Sequence, residues 1–157
     1  MKILKKILIS LLVVLAIAQF FGPEKNDGDL ATVDSFLAET NPPQDVKKIL
    51  ETTCFDCHSA KSTYPWYNAI TPVNYWLDEH IQDGKKHLNF SKWNTYSLKK
   101  KEHKMDELHE EVEEGEMPLN SYTWTHSEAN LSPAQIAAVV TWGKKVQADY
   151  KQQISTK

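Results

Sequence analysis

Cys54-Phe55-Asp56-Cys57-His58 sets two thiols two residues apart and follows the second directly with an imidazole. On one helical turn the two sulfurs project to the same side. Both can then reach the two vinyl edges of one porphyrin, and the adjoining His58 lies under the iron as an axial ligand. This C-x-x-C-H spacing is the pattern of covalent c-type haem attachment. It predicts haem c held by Cys54 and Cys57, with His58 as the proximal ligand.

Three blander uses of a C-x-x-C pair compete with that reading. A zinc site wants a second ligand pair at ordered spacing, and the chain has only 2 cysteines. A dithiol redox centre sits at the start of a helix after a strand, and no strand pattern precedes Cys54. A disulfide between Cys54 and Cys57 closes too small a loop to stabilise much.

The N-terminus supplies a compartment. Lys2, Lys5 and Lys6 precede an apolar run from Ile7 to Phe21 broken only by Ser10 and Gln19. Positive charge before an apolar stretch keeps the N-terminus in the cytoplasm and sends the following chain across the membrane, the side on which c-type haem is attached. Ala16-Ile17-Ala18 has the small residues of a cleavage site, whereas the apolar residues continue through Phe20 and Phe21 before Gly22-Pro23 ends the helix. A retained anchor is favoured over cleavage. The expected location is the periplasmic side of the cytoplasmic membrane, anchored or released.

Residues 1–22 are therefore expected to be a signal peptide or membrane anchor, and 23–41 a polar linker. Residues 42–150 are expected to form the c-type haem-binding domain, and 151–157 a tail. Every basic residue is a lysine, and setting aside Lys2, Lys5 and Lys6 takes the formal charge from −3 to −3 − 3 = −6. An acidic exported domain makes nucleic acid an unsuitable partner and favours a redox protein with a basic patch.

Apolar residues recur at helical spacing and nowhere alternate, so the expected fold is all-α: a bundle of about four helices around one haem, preceded by the N-terminal hydrophobic helix. Val46, Ile49, Leu50 and Thr53 make a stripe running from Pro42-Pro43 into the cysteines. A second helix opens at Thr71-Pro72 and stops at Gly84, with Val73, Trp76, Leu77, His80 and Ile81 facing inward. A third runs from Ser97 to Glu114 and ends at Gly115. It is so highly charged that His103, His109 and Glu113 are expected to be ordinary exposed side chains rather than a metal site. The last opens with the capping box Ser132-Pro133-Ala134-Gln135, and Gly143 within it predicts close approach of the helix that leads to Cys54.

The opposite face of the haem is the second question. In Gly115-Glu116-Met117-Pro118 a soft thioether precedes a stiffening proline, which makes Met117 the expected distal iron ligand. His80, an imidazole on an apolar helix face, is the runner-up, and His87 and His126 have weaker claims. Tyr64-Pro65-Trp66-Tyr67, Tyr75, Trp76, Phe90 and Trp93 are expected to wall the porphyrin edge. A carbonyl near Pro65 or Pro72 is expected to accept a hydrogen bond from His58.

The segments CFDCHS, GEMP and LSPAQIAAVVTW together resemble a class I cytochrome c. That resemblance implies attachment through Cys54, Cys57 and His58, distal ligation by Met117, and a C-terminal helix from Pro133 to Tyr150 crossing the first. The stretch CHSAKSTYPWYNAITPVNYWLDEHIQDGKKHLNFSKW is more similar to a haem-binding domain family of exported bacterial proteins, over most of residues 20–145. One-electron transfer with no catalytic residue is the expected function. A haem sensor or small peroxidase-like enzyme with an open distal position and His80 as acid or base is the alternative.

Overall fold

The computed structural model describes residues 2–156. Among them every regular element is helical, apart from one isolated antiparallel bridge between Asp27 and Lys61. The elements are α1 (Lys2–Ala18), α2 (Asp34–Thr40), α3 (Gln44–Ile49), α4 (Phe55–His58), α5 (Val73–His87), α6 (Leu98–Glu114), α7 (Asn120–Thr123) and α8 (Pro133–Ser155). The all-α expectation holds, with more helices than the four foreseen.

Both ends of α6 and the start of α8 form where the capping chemistry of the sequence marks them. Ser97 accepts from the Lys100 N–H to open α6, and Gly115 closes it at φ 78, a left-handed conformation in which a side chain is strained. Ser132 and Gln135 complete the capping box of α8, which runs unbroken to Ser155 and so absorbs most of the tail assigned to 151–157. The antiparallel pair α6 and α8 is the backbone of the domain. Gly143 lets them approach, since a Cβ there would stand 2.9 Å from His109 Cβ. Its partner is thus α6 rather than the helix leading to Cys54. The same contact buries His109, which the charge pattern had placed in solvent.

Residues 23–41 are not a linker. Val33 and Phe36 are buried, and Phe36 is the hub of the aromatic core, with ring centroids 4.4 Å from Phe90, 5.0 Å from Trp93 and 6.1 Å from Trp142. Polar bonds fasten α2 from both sides. The Trp142 indole donates to the Thr40 carbonyl at 3.1 Å, and Glu39 accepts from Lys101 and from the Tyr150 hydroxyl. Seven residues with two large apolar side chains, Phe36 and Leu37, carry too little periodicity to announce such a helix.

No residue of α1 is buried. Its root is nevertheless fixed: the Gln19 amide donates to the Thr71 carbonyl at 3.1 Å and accepts from the Thr71 N–H at 2.9 Å. Among the described residues no helix is long and apolar enough to cross a membrane.

Candidate functional site

The chain from Gln44 to His58 is helical throughout but changes register in the middle. Leu50–Cys54 forms a π-helical turn, in which the Phe55 N–H donates to the Leu50 carbonyl. One extra residue in a turn rotates everything after it, a device common at functional sites. Here it keeps Leu50 and Phe55 in the core while Cys54, Cys57 and His58, together with Ile49 and Thr53, line a cavity. Ser59 then breaks the helix in extended conformation. The buried Asn26 amide clamps that break, donating to the Ser59 carbonyl at 3.1 Å and to Ser62 Oγ at 2.8 Å.

His58 is held from outside its own helix. Its Nδ1 lies 2.9 Å from the carbonyl oxygen of Leu88, the residue that closes α5. An Nδ1–H donating there leaves Nε2 with a free lone pair, the form a metal requires. Burial holds the imidazole below the usual histidine range, so it stays neutral. The acceptor is Leu88, not a carbonyl near Pro65 or Pro72. Gly84, expected to terminate α5, instead lies inside it and brings Leu88 into reach. A Cβ at Gly84 would stand 3.0 Å from the Cys57 carbonyl oxygen and 3.2 Å from Cys57 Cβ.

Both thiols are free. Burial, with the neighbouring Cys57 adding to it, pushes Cys54 up to about 12; burial, with Asp56 adding to it, pushes Cys57 up to about 11. A dithiol redox centre depends on the opposite shift. Among the described residues no group of three or more His, Cys, Asp or Glu is placed to hold a metal ion. His103 pairs with Glu107, His109 with Asp106 and Glu113 with Lys144, three separate partners.

Met117 is positioned by the end of α6. The Gly115 N–H donates to the Val112 carbonyl and the Glu116 N–H to that of Glu111, the paired bonds of a Schellman turn. The Met117 N–H adds a bond of 3.0 Å to the same Glu111 oxygen. Half-buried against the core, Met117 lines the cavity that Cys54, Cys57 and His58 also line, with a volume of about 940 Å³. Two thiols, one imidazole with a free nitrogen and one thioether therefore meet in a space within the range of cofactor sites. That donor set fits a haem.

A model of the haem-binding domain matches residues 13–145. The chain belongs to the haem-binding domain family. No curated protein and no solved structure matches it.

The lining of this haem-binding domain differs from the expected aromatic wall. Phe90 lines the cavity, but Trp93 packs instead among Phe36, Tyr96 and Tyr150. Trp66 is 80% exposed, and Tyr75 and Trp76 are 48% and 43% exposed. Tyr64, Pro65, Tyr67 and Trp76 line a smaller apolar cavity of about 40 Å³ that shares Cys57, His80 and Tyr122 with the larger one. His80 reaches both cavities, its Nδ1 2.8 Å from the Trp76 carbonyl oxygen.

Tyr122 is the aromatic the sequence reading passed over. Its hydroxyl donates to Asp56 Oδ2 at 3.0 Å, and its ring stacks on His126 at 4.2 Å. Burial and the adjacent carboxylate raise its pKa, keeping the donor proton in place. Neither Leu88 nor Tyr122 carries a motif, because one acts through its main chain and the other meets Asp56 across 66 residues of sequence.

Proposed function

We propose that the chain is a monohaem c-type cytochrome domain, with haem bonded through thioethers to Cys54 and Cys57, His58 as proximal ligand and Met117 as distal ligand. It carries single electrons outside the cytoplasmic membrane, anchored or tethered there through the N-terminal segment. Haem bound between an imidazole and a thioether supplies a one-electron Fe(III)/Fe(II) couple without an open coordination position. The observation that carries this reading is His58: neutral, half-buried, with Nδ1 on the Leu88 carbonyl and Nε2 left for a metal, in a cavity lined also by Cys54, Cys57 and Met117.

The residues around the site serve that task in distinct ways. Thiols held protonated resist stray oxidation and metal capture before attachment. Phe90, Val139 and Leu131 exclude water from the cavity, which favours the less charged, reduced state. The formal charge of −6 beyond the N-terminal lysines suits a redox partner with a basic patch, drawn by long-range attraction.

The test is the full chain made in a host that exports it and attaches haem. Haem should stay with the polypeptide through denaturing electrophoresis, and Cys54→Ala with Cys57→Ala should release it. The ferric protein should show the far-red charge-transfer band of thioether ligation. Haem extracted by acid–acetone from the unaltered chain would refute covalent attachment.

His80 favours a second reading, a sensor or peroxidase-like site with an open distal position. With Nδ1 engaged by Trp76, its Nε2 is free to act as acid or base at the cavity. Rapid carbon monoxide binding by the fully loaded ferrous protein would select this reading over Met117 ligation.

A further inference from the structure

Two of the cavity's walls belong to distant parts of the chain. One is α4, which carries Cys57 and His58. The other is the segment that leaves α6 through Met117 and Pro118, turns through α7 and reaches Leu131. The upstream end of that segment is tied to α6 by the Met117 N–H to Glu111 bond. Between Met117 and Leu131, α7 is bonded to α4 by the 3.0 Å contact from the Tyr122 hydroxyl to Asp56 Oδ2.

Asp56 is built to receive that bond. It occupies the second free position of the C-x-x-C-H motif, where its side chain has no part in attachment. The Thr63 N–H donates to its other oxygen, Oδ1, at 2.8 Å, which fixes the carboxylate plane. The Ser62 hydroxyl donates to its main-chain carbonyl. On the other partner, the stack on His126 holds the Tyr122 ring nearly parallel at 13°, and the Tyr67 hydroxyl bonds Thr125 at 2.8 Å to steady the far end of α7. Each end of the bond is therefore oriented independently before the two meet.

We propose that Tyr122 is the positioning residue for Met117: its bond to Asp56 sets the separation between the loop that carries Met117 and the helix that carries His58, and so keeps the distal position closed. The proposal rests on Met117 being the distal ligand. A charged acceptor makes this bond stronger than an ordinary one, and losing it loosens the stretch between the Met117 tie to Glu111 and the Thr125 tie to Tyr67. The sulfur then leaves the iron more often, and an external ligand gains access in proportion to the open fraction.

Tyr122→Phe removes the hydroxyl and leaves the ring, its stack and the cavity lining in place. In the haem-loaded full chain it should speed carbon monoxide binding to the ferrous form by roughly tenfold or more, the factor a lost charge-assisted bond implies. It should also weaken the far-red thioether band, with covalent haem content unchanged. Asp56→Ala should do the same, and combining the two should add little to either alone, because both remove one shared interaction. An unaltered band and unaltered carbon monoxide kinetics in Tyr122→Phe overturn the positioning role while Met117 ligation stands. An unsubstituted protein that lacks the band and binds carbon monoxide at once overturns Met117 ligation itself, and the positioning role with it.

Discussion

His58 Nδ1 and the Leu88 carbonyl oxygen stand 2.9 Å apart across two helices, and this contact commits the imidazole to one tautomer. A backbone carbonyl at the end of a helix is a fixed acceptor that no side-chain motion removes. It therefore selects Nε2 as the free nitrogen and orients the ring before any metal arrives. The helix that brings Leu88 is itself set against α4 by Gly84, so the packing of two helices and the ligand's chemistry are one feature.

If His58 supplies the proximal nitrogen, His58→Ala leaves both thioether positions intact but removes the ligand. Haem already attached should remain on the chain, its low-spin spectrum lost. Added imidazole should fill the vacated space and restore that spectrum. A low-spin spectrum unchanged in His58→Ala would assign the nitrogen ligand to another histidine, with His80 the first to examine.

The two thiols make a prediction in pH. Cys54 and Cys57 are raised from 9.0 to about 12 and about 11, so between those values the folded chain keeps protons that the unfolded chain has released. Their contribution to stability is accordingly full below about pH 9 and is lost as pH rises toward 11–12. At pH 8 the thiolate fraction at Cys57 is lower in the folded than in the unfolded chain by about 100-fold, the factor for a gap of about two units. Alkylation of haem-free chain by iodoacetamide at pH 8 should slow by roughly tenfold or more relative to the same chain in urea, because the greater nucleophilicity of a higher-pKa thiolate offsets part of that factor. Rates within threefold of each other would mean that the thiols are not shielded.

The legible parts of this molecule are those whose physics is local. Ser97 and Gly115 at the ends of α6 and the Ser132–Gln135 capping box act within a few residues, and the structure places each as its spacing implied. Met117 lines the cavity that His58 lines, held there by a Schellman turn that is also local. What escaped depends on distant partners. Phe36 looks like one aromatic in a polar stretch until Phe90, Trp93 and Trp142 close around it. Gly84 reads as a helix stop, because the spacing cannot show that Cys57 presses on it from another helix. The exposed Trp66 and the core Trp93 are the same residue type, and only packing separates them.

Gly84→Ala tests that helix contact directly. The added methyl group would meet the Cys57 carbonyl oxygen at 3.0 Å, and backbone cannot yield as a side-chain tip does. Either α5 moves away from α4 or the domain carries the strain, at a cost of about 1–3 kcal/mol. Thermal unfolding should show that loss. Since Leu88 moves with α5, the His58 bond should lengthen too, which the electronic spectrum of the haem-loaded protein would register. A melting temperature at or above that of the unaltered chain would mean the helices have room that the contact distances deny.

Phe36→Ala separates a folded segment from a linker. A side chain in a true linker could be truncated at almost no cost. Phe36 is fully buried, and its ring is shared by three aromatic partners from two other parts of the chain. Removing it leaves a cavity in the middle of the core and should destabilise the domain by about 3–5 kcal/mol. Urea unfolding should show a lower midpoint with an unchanged slope, since the surface exposed on unfolding stays nearly the same. Phe90 lies between Phe36 and the cavity, its ring centroid also 6.2 Å from that of His58, so the damage should reach the site as a broadened haem spectrum. A variant that unfolds at the same urea concentration as the unaltered chain would return residues 23–41 to the role of a tether.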